Sequence, residues 1–173
     1  QVHGPFAGNS CGTNNPSHCS SAIQFDNVNN SILQGNQVRG SNYGSDAVSV
    51  YESSSVRLVG NDIDLNIAWM HAAGFTMGDS TSGNPGRDNY VAGNVVRQTG
   101  GVPAGVFGSN GNTILEKNCL TGGIQAFNYS GTFVGVTVRN NVINIGASFV
   151  PDTSVVAGWS SNINSTNCSL VPN

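Results

Sequence analysis

The sequence predicts an all-β solenoid of about five to six coils, a single strand of chain wound on itself, on three observations. One motif is written five times, a short alternating segment precedes each copy, and helical periodicity is almost absent. The copies are SILQGNQV (31–38), VRLVGNDI (56–63), NYVAGNVV (89–96), TILEKNCL (113–120) and VTVRNNVI (136–143). Each centres on an asparagine: Asn36, Asn61, Asn94, Asn118 and Asn141. Three residues before it stand Leu33, Leu58, Val91, Leu115 and Val138, and two after it stand Val38, Ile63, Val96, Leu120 and Ile143. Successive asparagines are 25, 33, 24 and 23 residues apart, so one coil carries an inserted loop, over 66–88.

Strand geometry turns this spacing into a shape. Side chains alternate faces along a strand, and neighbouring strands lie about 4.8 Å apart. A repeat of roughly two dozen residues is too short for a βα unit but long enough for short strands joined by tight bends. Stacked coils then place the leucines and valines in inward columns. The asparagine at each bend can bond its own backbone and the amides above and below, forming an asparagine ladder. The upstream strands are AIQFD (22–26), AVSVY (47–51), GFTMG (74–78), GVFGS (105–109) and AFNYS (126–130). No segment keeps a 3.6 period for three turns, and 23 glycines argue further against helix.

The ends of the chain follow the same frame. Gln1-Val2-His3-Gly4 repeats Gln37-Val38-Arg39-Gly40, so the chain is expected to start in mid-coil, as a fragment of a longer solenoid. An open coil end invites end-to-end or lateral self-association. Residues after 145 read as a C-terminal tail.

Composition bounds the function. The 173 residues suit one domain. Charged residues are 9% of the chain and the net charge is −3, which gives no basic stripe for nucleic acid. No apolar run approaches the ~20 residues of a membrane-spanning helix. Four cysteines suit an extracellular protein. Cys11 and Cys19 are expected to pair, closing the loop that holds Pro16 and His18; zinc on Cys11, His18 and Cys19 would lack a fourth ligand.

That pairing leaves Cys119 and Cys168. Cys119 follows Asn118, and Asn167-Cys168 imitates the arrangement. In the same column one coil beyond Val142, the two cysteines would be two rungs, about 9.6 Å, apart. A disulfide needs Cα atoms within about 7 Å. Either the tail forms a sixth regular coil with both thiols free, or it leaves the solenoid, folds back over Val142 and is stapled to Cys119. The staple is expected, because SSNINSTNCS lacks apolar residues at the two positions that flank Asn167 in the frame.

With this ladder and these strands over about 20–145, the chain resembles the right-handed parallel β-helix proteins, the broad pectate-lyase-like group whose relatives act on or bind polysaccharides. The resemblance implies a right-handed parallel β-helix, a secreted or cell-surface location and a polysaccharide partner. It is specific for architecture and unspecific for activity. The paired Asp with Gly-His-Gly of polygalacturonases and the Asp-Pro-His-Asp of mannuronan epimerases are absent. A pectate-lyase calcium site uses three or four acids, of which Asp62 and Asp64 provide two, so no cofactor is expected, with calcium the weaker alternative.

Candidate chemistry lies on the outward positions. Three places after each ladder asparagine stand Arg39, Asp64, Arg97, Thr121 and Asn144, with His3 if the N-terminal match holds; one place after stand Gln37, Asp62 and Val95. Arg39, Asp62, Asp64 and Arg97 should form a compact polar patch. The inserted coil begins there and adds Trp69, Met70, His71, Asp79, Arg87 and Asp88. An arginine grips a uronate carboxylate by paired donors, and a base beside that carboxylate can remove the neighbouring proton in a lyase or epimerase. Arg39, Asp64, His71 and Arg97 are the catalytic candidates; Asp62, Trp69, Asp79 and Arg87 are the substrate-binding candidates. A glycosidase needs two carboxylates flanking the bond, and Asp62 and Asp64 are neighbours on one strand, which disfavours a hydrolase. The plainer alternative is that Arg and Asp alternate to avoid stacking like charges, and that the chain is a structural or adhesive solenoid, a piece of an adhesin, tailspike or filament.

Overall fold

The computed structural model describes residues 2–3, 23–42, 47–67, 73–78, 86–98, 102–106, 110–122, 128–129, 133–144 and 156–173. Among them every strand pairing is parallel, and each strand pairs with its counterpart in a neighbouring coil, not with its neighbour in sequence. The chain visits four sheets in turn. A five-stranded sheet holds Ile23–Asp26, Val48–Tyr51, Ala73–Gly78, Val102–Val106 and Asn128–Tyr129. A three-stranded sheet holds Gly86–Arg87, Asn110–Gly111 and Phe133–Val134. A six-stranded sheet runs from Ile32–Gln34 through Arg57–Val59, Tyr90–Ala92, Ile114–Glu116 and Val136–Arg139 to Val156–Ala157. A seven-stranded sheet runs from Val2–His3 through Gln37–Asn42, Asp62–Ile67, Val95–Gln98, Cys119–Gly122 and Val142–Ile143 to Ile163–Asn164.

The fold is therefore an all-β parallel solenoid, but with about three complete coils instead of five to six. Three successive coils place a strand on all four faces. The first two reach the three-stranded sheet's position only through isolated bridges, Asn29 with Ser54 and Ser54 with Arg87. The last pairs on two faces. Ladder asparagines count rungs of one sheet, and a rung forms before its coil is complete. Within the expected loop 66–88, Ala73–Gly78 joins the five-stranded sheet and Gly86–Arg87 the three-stranded one. The strand read at 105–109 lies earlier, at Val102–Val106, in the register that sets Val106 beside Met77 and Met77 beside Val50.

The inward columns are those of the repeat. Val38, Ile63, Val96, Leu120 and Ile143 are buried under the seven-stranded sheet, and Leu58, Val91, Leu115 and Val138 under the six-stranded one. Leu33, in the first coil, is half-buried against them. Fully burying such a side chain contributes about 1.5–3 kcal/mol, and each added coil repeats the gain.

The bends explain the Gly-Asn pairs. The residue before each ladder asparagine is left-handed: Gly35, Gly60, Gly93, Lys117 and Asn140 have φ of 65°, 62°, 64°, 55° and 55°. Glycine takes this conformation freely, whereas a residue with a Cβ is strained there by roughly 1–2 kcal/mol. Lys117 is the misfit of the column. Lys117→Gly is expected to stabilise the fold by about 1 kcal/mol, read as a higher denaturant midpoint at unchanged slope. A second left-handed corner lies five residues earlier, at Asn30, Ser55, Asp88, Asn112 and Gly135, so the six-stranded sheet's segment is bracketed by two bends in every full coil.

The asparagine ladder is complete. The Asn61 backbone N–H and Nδ2 both donate to Asn94 Oδ1 at 2.9 Å. Asn94 donates in the same way to Asn118 at 3.0 and 2.9 Å, and Asn118 to Asn141 at 2.9 Å. Each Nδ2 also donates backward to a carbonyl of the preceding coil: Asn61 to Leu33, Asn94 to Leu58, Asn118 to Val91 and Asn141 to Leu115. Every one of these four buried amides uses two donors and two lone pairs, the full capacity of the group. Asn36 begins the series, donating to Asn61 at 3.0 and 3.3 Å.

Both chain ends refine the sequence reading. Val2 pairs with Val38 and His3 with Arg39, as the N-terminal match requires. Cys119 and Cys168 form the expected disulfide, with Cα atoms 5.3 Å apart. The two alternatives for the tail were not exclusive, however. Ile163–Asn164 adds one more rung beyond Val142–Ile143, and the ladder continues to Asn162, whose Oδ1 accepts from the Asn141 N–H and Nδ2 at 2.9 Å. The short 3-10 turn Cys168–Leu170 then returns to the staple. Cys11 and Cys19 lie outside the described residues.

Candidate functional site

The outward positions of the seven-stranded sheet bring four of the expected residues together. Arg39, Asp64 and Arg97 are in register on successive strands, with Asp62 two residues before Asp64 on the same face. The ion pairs form with Asp62 and not with the residue directly opposite. Arg39 Nη2 lies 2.5 Å from Asp62 Oδ2, and Arg97 Nη1 lies 2.6 Å from Asp62 Oδ1. Arg39 Nη1 also donates to the Asp62 and Val38 carbonyls at 2.7 and 3.2 Å. One carboxylate thus clamps the coil before it and the coil after it, while Asp64 stands exposed beside the clamp.

The electrostatics follow from the geometry. Partial burial pushes the Asp62 carboxyl up, but the hydrogen bonds from Arg39 and Arg97, and then their charges, outweigh it and hold the group below its ordinary value of 3.8. A depressed folded pKa means that the clamp contributes stability above the ordinary carboxylate range and loses it as pH falls through the folded value. Asp62→Asn is accordingly expected to lower stability near neutral pH by about 1 kcal/mol or less, as befits a part-exposed pair. The difference from the parent should close as pH falls below 3.8. Parallel urea titrations across that range check it, and a gap that persists in acid would contradict the clamp.

Farther along the same face the outward positions close. Cys119 and Val142 are 1% and 0% exposed, and Thr121 is buried as well, on the stretch where Cys168 is stapled down. The open part of the face therefore ends near Arg97. Arg87, expected at the same site, lies instead on the three-stranded sheet, in register with Gly111. The six-stranded segment separates it from the clamp in chain order. Trp69, His71 and Asp79 lie outside the described residues, and no cluster of three metal-ligating acids, histidines or cysteines occurs among the described ones.

A second polar cluster sits on the outer face of the six-stranded sheet, and the sequence reading did not single it out. Tyr90 donates its phenol O–H to Glu116 Oε1 at 2.7 Å, and Arg139 Nε donates to Glu116 Oε2 at 2.7 Å. The Arg57 guanidinium lies over the Tyr90 ring, 4.9 Å from its centroid, in cation–π range. The Tyr90 hydrogen bond, together with Arg139, holds Glu116 below its ordinary value against the opposing effect of burial, and the same bond raises the Tyr90 phenol. Arg57 and Tyr90 stand four places before their ladder asparagines, and Glu116 and Arg139 two places before theirs. Extending the frame upstream would have aligned all four as outward neighbours.

The arrangement offers guanidiniums and carboxylates across several coils, and at Asp62 and Glu116 these partners hold the carboxyl below its ordinary value. No protein-family model, curated protein or solved structure matches this chain.

Proposed function

We propose that the chain is a secreted, right-handed β-helix of the pectate-lyase-like kind that binds an extracellular acidic polysaccharide along the open part of the seven-stranded sheet. The observation that carries this reading is the clamp: Asp62 fixes two guanidiniums on coils to either side of it, and Arg97 keeps a side chain 47% exposed. A held guanidinium loses little conformational freedom when it meets a carboxylate, and its planar donors suit a uronate. Asp64 supplies an acceptor for sugar hydroxyls between the two arginine positions. Binding is favoured over lyase or epimerase chemistry, because a carboxylate held ionised by two arginines is a weak base and Asp62 is better suited to position Arg39 and Arg97 than to take a proton. The handedness in this proposal follows the strong general preference of parallel crossovers.

One observation favours a second reading, a structural or adhesive solenoid: both charged clusters tie successive coils to one another. Affinity electrophoresis through gels containing alginate, pectin or hyaluronan separates the two. Binding predicts retardation that weakens with salt, and an apparent Kd about tenfold higher for Arg97→Gln, the loss of one charge-assisted hydrogen bond. No retardation in any polymer would favour the structural reading. Ultraviolet absorbance of unsaturated products in the same mixtures tests for a lyase.

A further inference from the structure

The chain contains four Asn-X-Ser/Thr triplets in which X is not proline: Asn29-Asn30-Ser31, Asn128-Tyr129-Ser130, Asn164-Ser165-Thr166 and Asn167-Cys168-Ser169. All lie toward the two ends of the solenoid. None falls between 47 and 122, where the ladder asparagines are followed two residues later by Val, Ile or Leu. N-linked glycosylation needs an amide nitrogen that a transferase can reach and a hydroxyl two residues on.

Two of these asparagines meet the need best. Asn29 is exposed in the first described coil, between the strands Ile23–Asp26 and Ile32–Gln34. Asn164 is exposed, as is Thr166, and it stands in register with Ile143 on the last rung of the seven-stranded sheet. It ends a column that is apolar and buried from Val38 to Ile143. Asn167 is less suited. The residue inside its triplet is Cys168, which the staple to Cys119 ties down.

We propose that Asn29 and Asn164 carry N-linked glycans. The proposal rests on the reading of the chain as secreted. Terminal strands present unpaired backbone groups that template other strands, and proteins usually blunt them with charge. This chain has little to give, at 9% charged residues; a hydrated glycan beside such a strand would hinder stacking instead. The transfer forms a bond from the asparagine Nδ2 to C1 of the sugar and breaks the bond from C1 to a lipid pyrophosphate donor. The pyrophosphate leaves as an anion, and the amide proton passes to a base of the transferase.

The test uses the full chain secreted by its native source, treated with an amidase that releases N-glycans and converts each linked Asn to Asp. Peptide mass spectra are expected to show Asp at positions 29 and 164 after treatment and unchanged Asn at the ladder positions. Asn164→Gln and Thr166→Ala should each remove one step of gel mobility, although the second keeps the asparagine. Secreted protein with unmodified Asn29 and Asn164 overturns the proposal while leaving secretion intact. A chain retained inside the cell overturns both.

Discussion

Asn94→Ala is expected to lower stability by about 3 kcal/mol or more, because the lost Oδ1 leaves the Asn61 N–H and one Asn61 Nδ2 hydrogen without an acceptor, at about 1–3 kcal/mol each. Both donors face the side chain in the buried middle of the stack. For a chain of this size that corresponds to a melting temperature lower by roughly 10 °C. Asn94→Asp is nearly isosteric and should do at least as badly, since a carboxylate oxygen would then face the Leu58 carbonyl and Asn118 Oδ1 where Nδ2 now donates. The exposed control Gln24→Ala should stay within about 0.5 kcal/mol of the parent. Urea midpoints decide the matter: equal values for Asn94→Ala and Gln24→Ala would remove the energetic role of the ladder.

Removing the staple should have the next largest effect. Cys119 and Cys168 are 49 residues apart, and constraining a loop of that length contributes about 4 kcal/mol in the chain-entropy account, with about 2–4 typical of measured cases. Cys168→Ser is the cleaner variant, because Cys168 is only half-buried whereas Cys119 is 1% exposed and would leave a hydroxyl in a closed site. The loss should appear first at the C-terminus. Hydrogen exchange of the Ile163 and Ser165 amides, which donate to the Asn141 and Ile143 carbonyls, is expected to accelerate before that of the central coils. Uniform acceleration throughout the chain would show that the staple acts on global unfolding alone.

Much of the fold was legible because the repeat fixes inward and outward positions for every coil that obeys it. Leu58, Ile63, Val91, Val96, Leu115 and Leu120 could be placed in the core from spacing alone, and they are there. What escaped obeys the physics but not the spelling. Asn162 extends the ladder although Trp159 replaces the usual leucine or valine three residues before it and Asn164 the apolar residue two after. Trp159 packs against the core in that place. Asn167 imitated the pattern by its neighbouring cysteine and drew the frame five residues too far. The clamp was legible only in part: register placed Arg39, Asp62, Asp64 and Arg97 on one face, but side-chain reach sent both guanidiniums to Asp62. The Tyr90, Glu116 and Arg139 cluster was missed because outward positions were followed only downstream of each asparagine, while these residues stand two and four places upstream.

The ladder also has a polarity. Every rung donates toward the C-terminal end through both its N–H and its Nδ2, so the amide dipoles point one way along the axis, head to tail, as peptide units do in a helix. Such a row polarises cooperatively, and each rung orients the next. At Asn162 the direction is broken. Its Nδ2 turns back to the Trp159 carbonyl at 2.7 Å and to Val138 at 3.0 Å, and its backbone N–H also donates to Trp159. The forward donation of the other rungs is replaced there by bonds to its own bend, so the directed row runs from Asn36 to Asn162.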